Sequence, residues 1–131
     1  GENMLRNKTT YFLPFCFFEM DENTKKADIE LENYAIKAIE QTTGLFSADT
    51  NIEIRNISNN KTIQYTVEGV AKNIYCKGET IAINIGSEVE FIHTNGWLIK
   101  RYKSLQEVKD VVLCDGAAAI IYRDKIEIIN L

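Results

Sequence analysis

The spacing of apolar residues changes along the chain. Between Thr24 and Thr43 they recur at intervals of three and four, which is typical of one face of an α-helix. Asn23 or Thr24 suits the N-cap, and Gly44 suits a left-handed residue after the last turn. The segment therefore predicts one long amphipathic helix with a single apolar stripe, made of Leu31, Tyr34, Ala35, Ala38, Ile39 and Thr42.

After Gly44 the apolar period falls to two, and turn-forming residues follow at short intervals. The pattern predicts an antiparallel β-meander of about five strands, from Asn51 to Tyr102, with one continuous apolar face. A two-residue loop at Asn59-Asn60 would place Ile63 opposite Asn56.

Asn95-Gly96 is the strongest turn signal in the chain, because a type I′ turn needs a positive φ at both central residues. Pairing the flanking strands outward from this loop places Glu90 opposite Arg101. It also places Glu88 opposite Lys103. Opposite charges in facing positions stabilise antiparallel strands, so the pairs support this register.

The last part of the chain predicts a short helix and a hairpin. Ser104 and Glu107 have the spacing of a capping box, which predicts a short second helix. Residues 117–122 and 125–130 predict a terminal hairpin that turns at Arg123-Asp124. Its inward face would be shared by Ala119, Ile121, Ile126 and Ile128.

Together these elements predict an α+β fold in a single domain of residues 1–131. The meander and terminal hairpin would pack on the long amphipathic helix, since one apolar sheet face and one helix stripe suffice for a core of this size. Hot-dog-like, cystatin-like and profilin-like arrangements each fit the order of elements. No internal repeat is apparent in the sequence.

Composition narrows the class of protein. Apolar residues make up 45% and charged residues 26% of the 131 positions, which is typical of a globular protein. The net charge of −4 disfavours nucleic-acid binding, which depends on clustered Lys and Arg. The richness in Ile, Asn and Lys is typical of bacterial proteins encoded by AT-rich genomes.

The apolar run at residues 11–18 is far shorter than the roughly 20 residues of a membrane-spanning helix, so we expect a soluble segment without membrane insertion. Three cysteines without CxxC spacing make a disulfide framework unexpected. These features favour a cytoplasmic protein; the alternative is an extracytoplasmic domain of a longer, membrane-anchored protein.

Catalytic signatures are missing from the sequence, which has no GxGxxG, GxxxxGK[ST], GxSxG, HExxH or CxxC motif. His93 is the only histidine, so neither a histidine-rich metal site nor a cofactor is expected. A partly buried, hydrogen-bonded imidazole is the simpler interpretation of His93, and a general base is the alternative. Any polar site would draw on His93, Asn95 and Asp115.

Trp97 is the most informative departure from the pattern. In the predicted register it shares a face with Ile92 and Ile99, beside Arg101, although that face also carries the charged pairs. Exposed apolar patches that contain Trp and Arg tend to be contact sites. These four residues therefore form a candidate interface.

The resulting hypothesis is a non-catalytic protein-interaction module that forms a homodimer or binds another protein as a small subunit. The alternative is a small-ligand-binding domain or small enzyme with its site between helix and sheet.

Overall fold

The computed structural model describes residues 8–11 and 34–131, and every regular element among them is an antiparallel β-strand. The predicted α+β class is therefore wrong, and the described part of the chain is all-β. The chain divides into two compact units, residues 1–71 and 72–131. The expectation of one domain stays a prediction.

The first unit contains a four-stranded meander, sheet A, in which the strands follow chain order. Its strands are β1 (Lys8–Tyr11), β2 (Tyr34–Thr42), β3 (Ala48–Asn56) and β4 (Thr62–Glu68). Alternate residues of β2 and β3 face the core, and Ile36 pairs with Ile54 as Ala38 pairs with Ile52. All four side chains are buried.

The predicted long helix is wrong over residues 34–42, which form β2, and its earlier part lies outside the described residues. The helical spacing was misleading because β2 buries residues on both faces. Ala35 and Ile36 are adjacent and both buried, which removes the clean alternation expected of a strand. The β-branched residues Ile36, Ile39 and Thr42 favour the strand.

The second unit contains two sheets. Sheet B is a meander of β5 (Asn73–Lys77), β6 (Thr80–Asn84), β7 (Glu88–His93) and β8 (Leu98–Lys103). Sheet C has the order β11-β10-β9 and consists of β9 (Asp110–Cys114), β10 (Ala117–Ile121) and β11 (Ile126–Asn130). Their shared core contains Ala82, Val89, Phe91, Val108, Val111, Leu113, Ala118, Ile120 and Tyr122.

The predicted five-strand meander is divided between sheets, because β3 and β4 belong to sheet A and β5 to β8 form sheet B. The predicted hairpin near residue 59 is present, but its register is two positions off. Ile63 pairs with Ile54, because four residues separate Asn56 from Lys61, whose carbonyl accepts the Asn56 N–H at 2.8 Å. A shift of two leaves each side chain on the predicted face.

The Asn95-Gly96 hairpin has the predicted pairs Glu88–Lys103 and Glu90–Arg101. Its loop, however, contains three residues, since the His93 N–H donates to the Trp97 carbonyl at 2.8 Å. Gly96 has a φ of 89°, which suits a type I turn followed by a bulge. The register shifts by one at Ile99, since Leu98 pairs with Ile92 whereas Lys100 pairs with Phe91.

The predicted second helix is also wrong. The Ser104 hydroxyl lies within hydrogen-bond distance of two carbonyl oxygens, at 3.0 Å from Ser87 and 2.6 Å from Gln106, instead of capping a helix. The chain then enters β9, in which Val111 is buried and Val112 is exposed, as expected for neighbours in a strand.

The strand registers reveal an internal repeat. In sheet B, Ala82 pairs with Phe91, and 37 positions later Ala119 pairs with Ile128 in sheet C. The pairing of the first two strands repeats with the same period, since Lys77–Thr80 corresponds to Cys114–Ala117. Sheets B and C are therefore two copies of one structural unit.

The same period links the third and fourth strands of sheets A and B. Glu53, Glu90 and Glu127 are 37 positions apart, each lies on the third strand of its sheet, and each stands between two apolar residues. Tyr65 and Tyr102 are also 37 apart, on the fourth strands. The pattern was missed in the sequence because it is confined to a few positions per copy.

Candidate functional site

His93, at the end of β7, has both ring nitrogens occupied. Its Nδ1 accepts the backbone N–H of Asn95 at 3.0 Å, and its Nε2 lies 2.7 Å from Glu79 Oε2. The Trp97 ring stacks on the imidazole, with centroids 4.7 Å apart and planes at 8°. These contacts at both nitrogens fix the orientation of the ring. The general-base alternative stays a prediction.

The three residues of the predicted polar site are not assembled. Asn95 contacts His93 only through its backbone N–H, and its side chain is exposed. Asp115 is exposed in the turn between β9 and β10, and no hydrogen bond or ion pair of the described residues joins it to His93 or Asn95. The predicted ligand site between helix and sheet has no helix among residues 8–11 and 34–131.

The four candidate interface residues do not share one surface. Ile92 is fully buried, and Ile99 packs against the core between sheets B and C. Trp97 is 53% exposed and stacks on His93, while the Arg101 guanidinium contacts two carboxylates. The bulge near Leu98 separates Trp97 from the side on which the sequence pattern had placed it.

Arg101 bridges the acidic residues of β7. Its Nε lies 3.5 Å from Glu90 Oε2 and 3.9 Å from Glu88 Oε1. The Glu90 side chain is only 4% exposed, and the guanidinium offsets part of the cost of burying its carboxylate. The cluster stabilises the hairpin and leaves no free carboxylate pair for acid–base chemistry.

A chain of hydroxyls joins sheets B and C. Tyr102 Oη lies 2.9 Å from Tyr122 Oη and donates to Glu127 Oε1 at 2.9 Å. Hydrogen bonds from Tyr122 and Tyr102 hold the pKa of Glu127 below its ordinary value. Burial raises the pKa of Tyr122, and burial with a hydrogen bond to Asp110 raises the pKa of Tyr75 to about 12. The hydroxyls of Tyr102 and Tyr122 and the Glu127 carboxylate thus bond one another and link the two sheets.

A cavity of about 410 Å³ lies beside the segment after β8 and was not foreseen from the sequence. Lys72 reaches across it over Gly86, and its Nζ lies 2.7 Å from Glu107 Oε1. Hydrogen bonding to Lys72, together with the charge of Lys109, lowers the pKa of Glu107. Glu107 is thus shared between the ammonium groups of Lys72 and Lys109.

The outer face of sheet C departs from the burial expected for the terminal hairpin. It is defined by Val112, Cys114, Ala117, Ala119, Ile121, Ile126 and Ile128, which alternate with the core residues of the same strands. Ile126 is 62% and Ile128 69% exposed. Ala119, Ile121, Ile126 and Ile128 share one face of the terminal hairpin, as predicted from the sequence, but this face points outward and not into the core.

The repeat makes that exposure informative. Ile126 and Ile128 correspond to Val89 and Phe91, which are fully buried because sheet C packs on their face of sheet B. The outer face of sheet C is the equivalent surface without a covering sheet among the described residues. The 37-residue repeat is the sequence signal that would have identified this face, because it aligns Ile126 and Ile128 with Val89 and Phe91.

The first unit has a smaller apolar surface at one end of sheet A. Phe46 is 99% exposed in the β2–β3 turn, and Val70 follows β4. They line an open cavity of about 550 Å³ together with Asp49 and Glu68. This end combines exposed apolar groups with acidic ones but has no convergent set of polar donors.

The two described cysteines differ. Cys76 is disulfide-bonded and buried, whereas Cys114 is free and exposed on the outer face. Within the described part of the chain, no three His, Cys, Asp or Glu side chains are grouped so that they could hold a metal ion.

No protein-family model, curated protein or solved structure matches the chain. Across residues 8–11 and 34–131, no helix has the length and hydrophobicity needed to cross a lipid bilayer.

Proposed function

We propose that this chain is a non-catalytic protein-interaction module, either a homodimer or a small subunit of a larger assembly, and that it binds through the outer face of sheet C. The supporting observation is the exposure of Ile126 and Ile128 at positions whose equivalents in sheet B are buried. Contiguous exposed apolar residues mark contact surfaces in soluble proteins. This face replaces the surface around Trp97 as the main candidate.

The composition of the face fits a protein partner. The residues that define the face are Ala, Val, Ile and Cys114, and the same alternation places the polar residues Asp110 and Asn130 at its margin, at the start of β9 and the end of β11. The centre of a protein interface is likewise depleted in charged residues. The site geometry favours binding over catalysis, since the His93 nitrogens and the Lys72 ammonium already have partners.

Native mass spectrometry of the purified chain tests the proposal. We expect an assembly, with itself or with a co-purifying protein, that is lost in Ile128→Glu. Leu105→Glu is the matched control, because Leu105 is also an exposed aliphatic residue but lies outside the outer face. An assembly that survives Ile128→Glu, or no assembly in the unsubstituted chain, contradicts the proposal.

The disulfide state of Cys76 is informative about the cellular compartment of the protein. Disulfides persist in oxidising compartments and are rare in the cytosol. The disulfide of Cys76 therefore supports the extracytoplasmic alternative over the cytoplasmic one. Alkylating free thiols in intact cells before lysis, followed by peptide mapping, tests this: labelled Cys76 would restore the cytoplasmic interpretation.

A further inference from the structure

Two cavities lie at equivalent positions of the 37-residue repeat. The sheet A cavity, in the first unit, is lined in part by residues 48–49 and 68–70. Residues 85–86 and 105–107, which are 37 positions later, line the sheet B cavity in the second unit. In both copies the cavity lies where the third strand begins and the fourth strand ends. A cavity at this place is therefore a property of the repeat and not of one loop.

A lysine of the chain occupies the sheet B cavity. Lys72 crosses it so closely over Gly86 that a Cβ on this glycine would lie 2.9 Å from the lysine Nζ. The ammonium then contacts the Glu107 carboxylate at 2.7 Å. This copy of the cavity thus shows which chemical group the position accepts, an ammonium held by a carboxylate at its rim.

The sheet A cavity carries two carboxylates that face each other. Asp49 pairs with Glu68 across β3 and β4, so both side chains project from the same face of the sheet. Asp49 takes the position of Gly86, directly beneath the ammonium of the other copy. Like charges in facing positions destabilise a strand pair. Among residues 8–11 and 34–131, neither carboxylate has a cationic partner.

The same face of sheet A shows how a carboxylate of β3 is balanced elsewhere. Glu53 has Lys37 as its cross-strand neighbour, and the charged atoms are 3.3 Å apart. Asp49 instead has Gln41 on one side and Glu68 on the other. An ammonium placed between Asp49 and Glu68 would supply the counter-charge that this row of the sheet lacks.

The sheet A cavity also has an apolar wall. Phe46 is 99% and Val70 42% exposed, and both line it. Its volume of about 550 Å³ is larger than one ammonium requires. Lysine lays its methylene groups along apolar surface while its charged end contacts polar groups. A lysine with an apolar neighbour in a peptide therefore fits both parts of the cavity.

We propose that the sheet A cavity binds a lysine side chain of another polypeptide. The ammonium lies between Asp49 and Glu68, and the methylene groups and an adjacent apolar residue of the partner pack on Phe46 and Val70. Charge complementarity selects the lysine, and the apolar wall distinguishes a peptide from a free amine. The cavity belongs to the first unit and the outer face of sheet C to the second, so this inference does not rest on the proposed function.

A dye-labelled peptide with the sequence of residues 70–75, VAKNIY, is the probe, because it carries Lys72 with its natural neighbours. We expect saturable binding to the whole chain, measured by fluorescence anisotropy. Binding should weaken at least fivefold in Asp49→Asn and in Glu68→Gln, each of which removes one charge with little change in shape. Asp124→Asn is the matched control, because Asp124 is an exposed carboxylate in the β10–β11 turn, and this variant should bind as the unsubstituted chain does.

Two further probes test the chemistry of the ligand. A peptide with Lys72→Gln should bind at least tenfold more weakly, because it has no charge to place between the carboxylates. Butylamine at the peptide concentration should not compete, since it lacks the apolar neighbour. Phe46→Ser should weaken peptide binding at least threefold through loss of the apolar wall.

No saturable binding at millimolar peptide would overturn the inference, as would equal binding by the Lys72→Gln peptide or undiminished binding in both carboxylate variants. Competition by butylamine at the peptide concentration would show that a free amine suffices and would overturn the assignment to a polypeptide. Peptide binding should persist in Ile128→Glu, so this inference and the proposed function fail independently.

Discussion

The Trp97 indole lies parallel to the His93 imidazole, with an interplanar angle of 8° and centroids 4.7 Å apart. The stack exists because the hairpin loop has three residues, which brings Trp97 back beside the end of β7. The imidazole itself is held through its two ring nitrogens by the Glu79 carboxylate and the Asn95 N–H. The residue that the sequence singled out for a partner is thus also held by its own neighbours.

Trp97→Ala should lower the free energy of unfolding by about 1 kcal/mol, the usual contribution of an aromatic pair beyond its buried area. Urea unfolding followed by circular dichroism measures this without relying on tryptophan fluorescence. Trp97→Phe keeps a ring over His93 and should recover most of the loss. Equal stability of the alanine variant and the unsubstituted chain would show that the stack contributes nothing.

Arg101→Ala should cost about 2 kcal/mol, because it removes a charged partner from the buried Glu90 carboxylate. Glu88→Gln is the comparison, since the Glu88 side chain is more exposed and its oxygen lies farther from the guanidinium. Exposed pairs are worth less than about 1 kcal/mol. Chemical denaturation measures the free energy of unfolding of both variants. Equal losses in Arg101→Ala and Glu88→Gln would contradict the expectation that the Glu90 contact contributes more.

Glu127 should make stability depend on pH in a defined direction. Its pKa is lowered in the folded chain, so the unfolded chain binds more protons in the acid range. The stabilisation is complete above the ordinary glutamate pKa of about 4.3 and is lost as pH falls through the lower folded value. The stability difference between the unsubstituted chain and Glu127→Gln should therefore shrink between pH 6 and strong acid.

Urea titrations across that pH range measure the difference. Tyr102→Phe removes one hydroxyl donor to the carboxylate, so the pH dependence attributable to Glu127 should weaken in this background. A difference that grows on acidification would have the wrong sign for a lowered pKa.

Asn84→Ala should cost about 3 kcal/mol. Asn84 is fully buried, its Nδ2 donates to the Val108 carbonyl at 3.0 Å, and its Oδ1 accepts the Gly86 N–H at 2.8 Å. Truncation leaves both backbone groups without these bonds, and each costs about 1–3 kcal/mol when unsatisfied. Asn95→Ala, an exposed asparagine in a turn, should change stability by less than about 0.5 kcal/mol.

Turn chemistry and charge pairing were the parts of the fold that could be predicted. Asn95-Gly96 located a hairpin, and Glu90 opposite Arg101 fixed its register. The loop length was not predictable. A two-residue loop, and a three-residue loop followed by a bulge, both place Glu88 opposite Lys103 and Glu90 opposite Arg101. That one residue decided which side of the sheet Trp97 occupies, and with it the proposed interface.

Burial on both faces explains the larger errors. Ala35 and Ile36 are buried side by side, so β2 lacked the alternation of a half-buried strand and was interpreted as a helix. In β10 all five residues, 117–121, are apolar, which leaves the inward face undetermined. The direction of the face was set by β9 and sheet B, through contacts that no local pattern encodes.

The strand order of the second unit has a kinetic consequence. Every pairing from β5 to β8 and from β9 to β11 joins neighbours along the chain, so each hairpin closes over a short loop. Loop-closure entropy rises with loop length, and folding rates fall as contacts become more distant in sequence. We therefore expect residues 72–131 to fold by successive addition of hairpins, faster than β-proteins of similar size whose strands pair across the length of the chain.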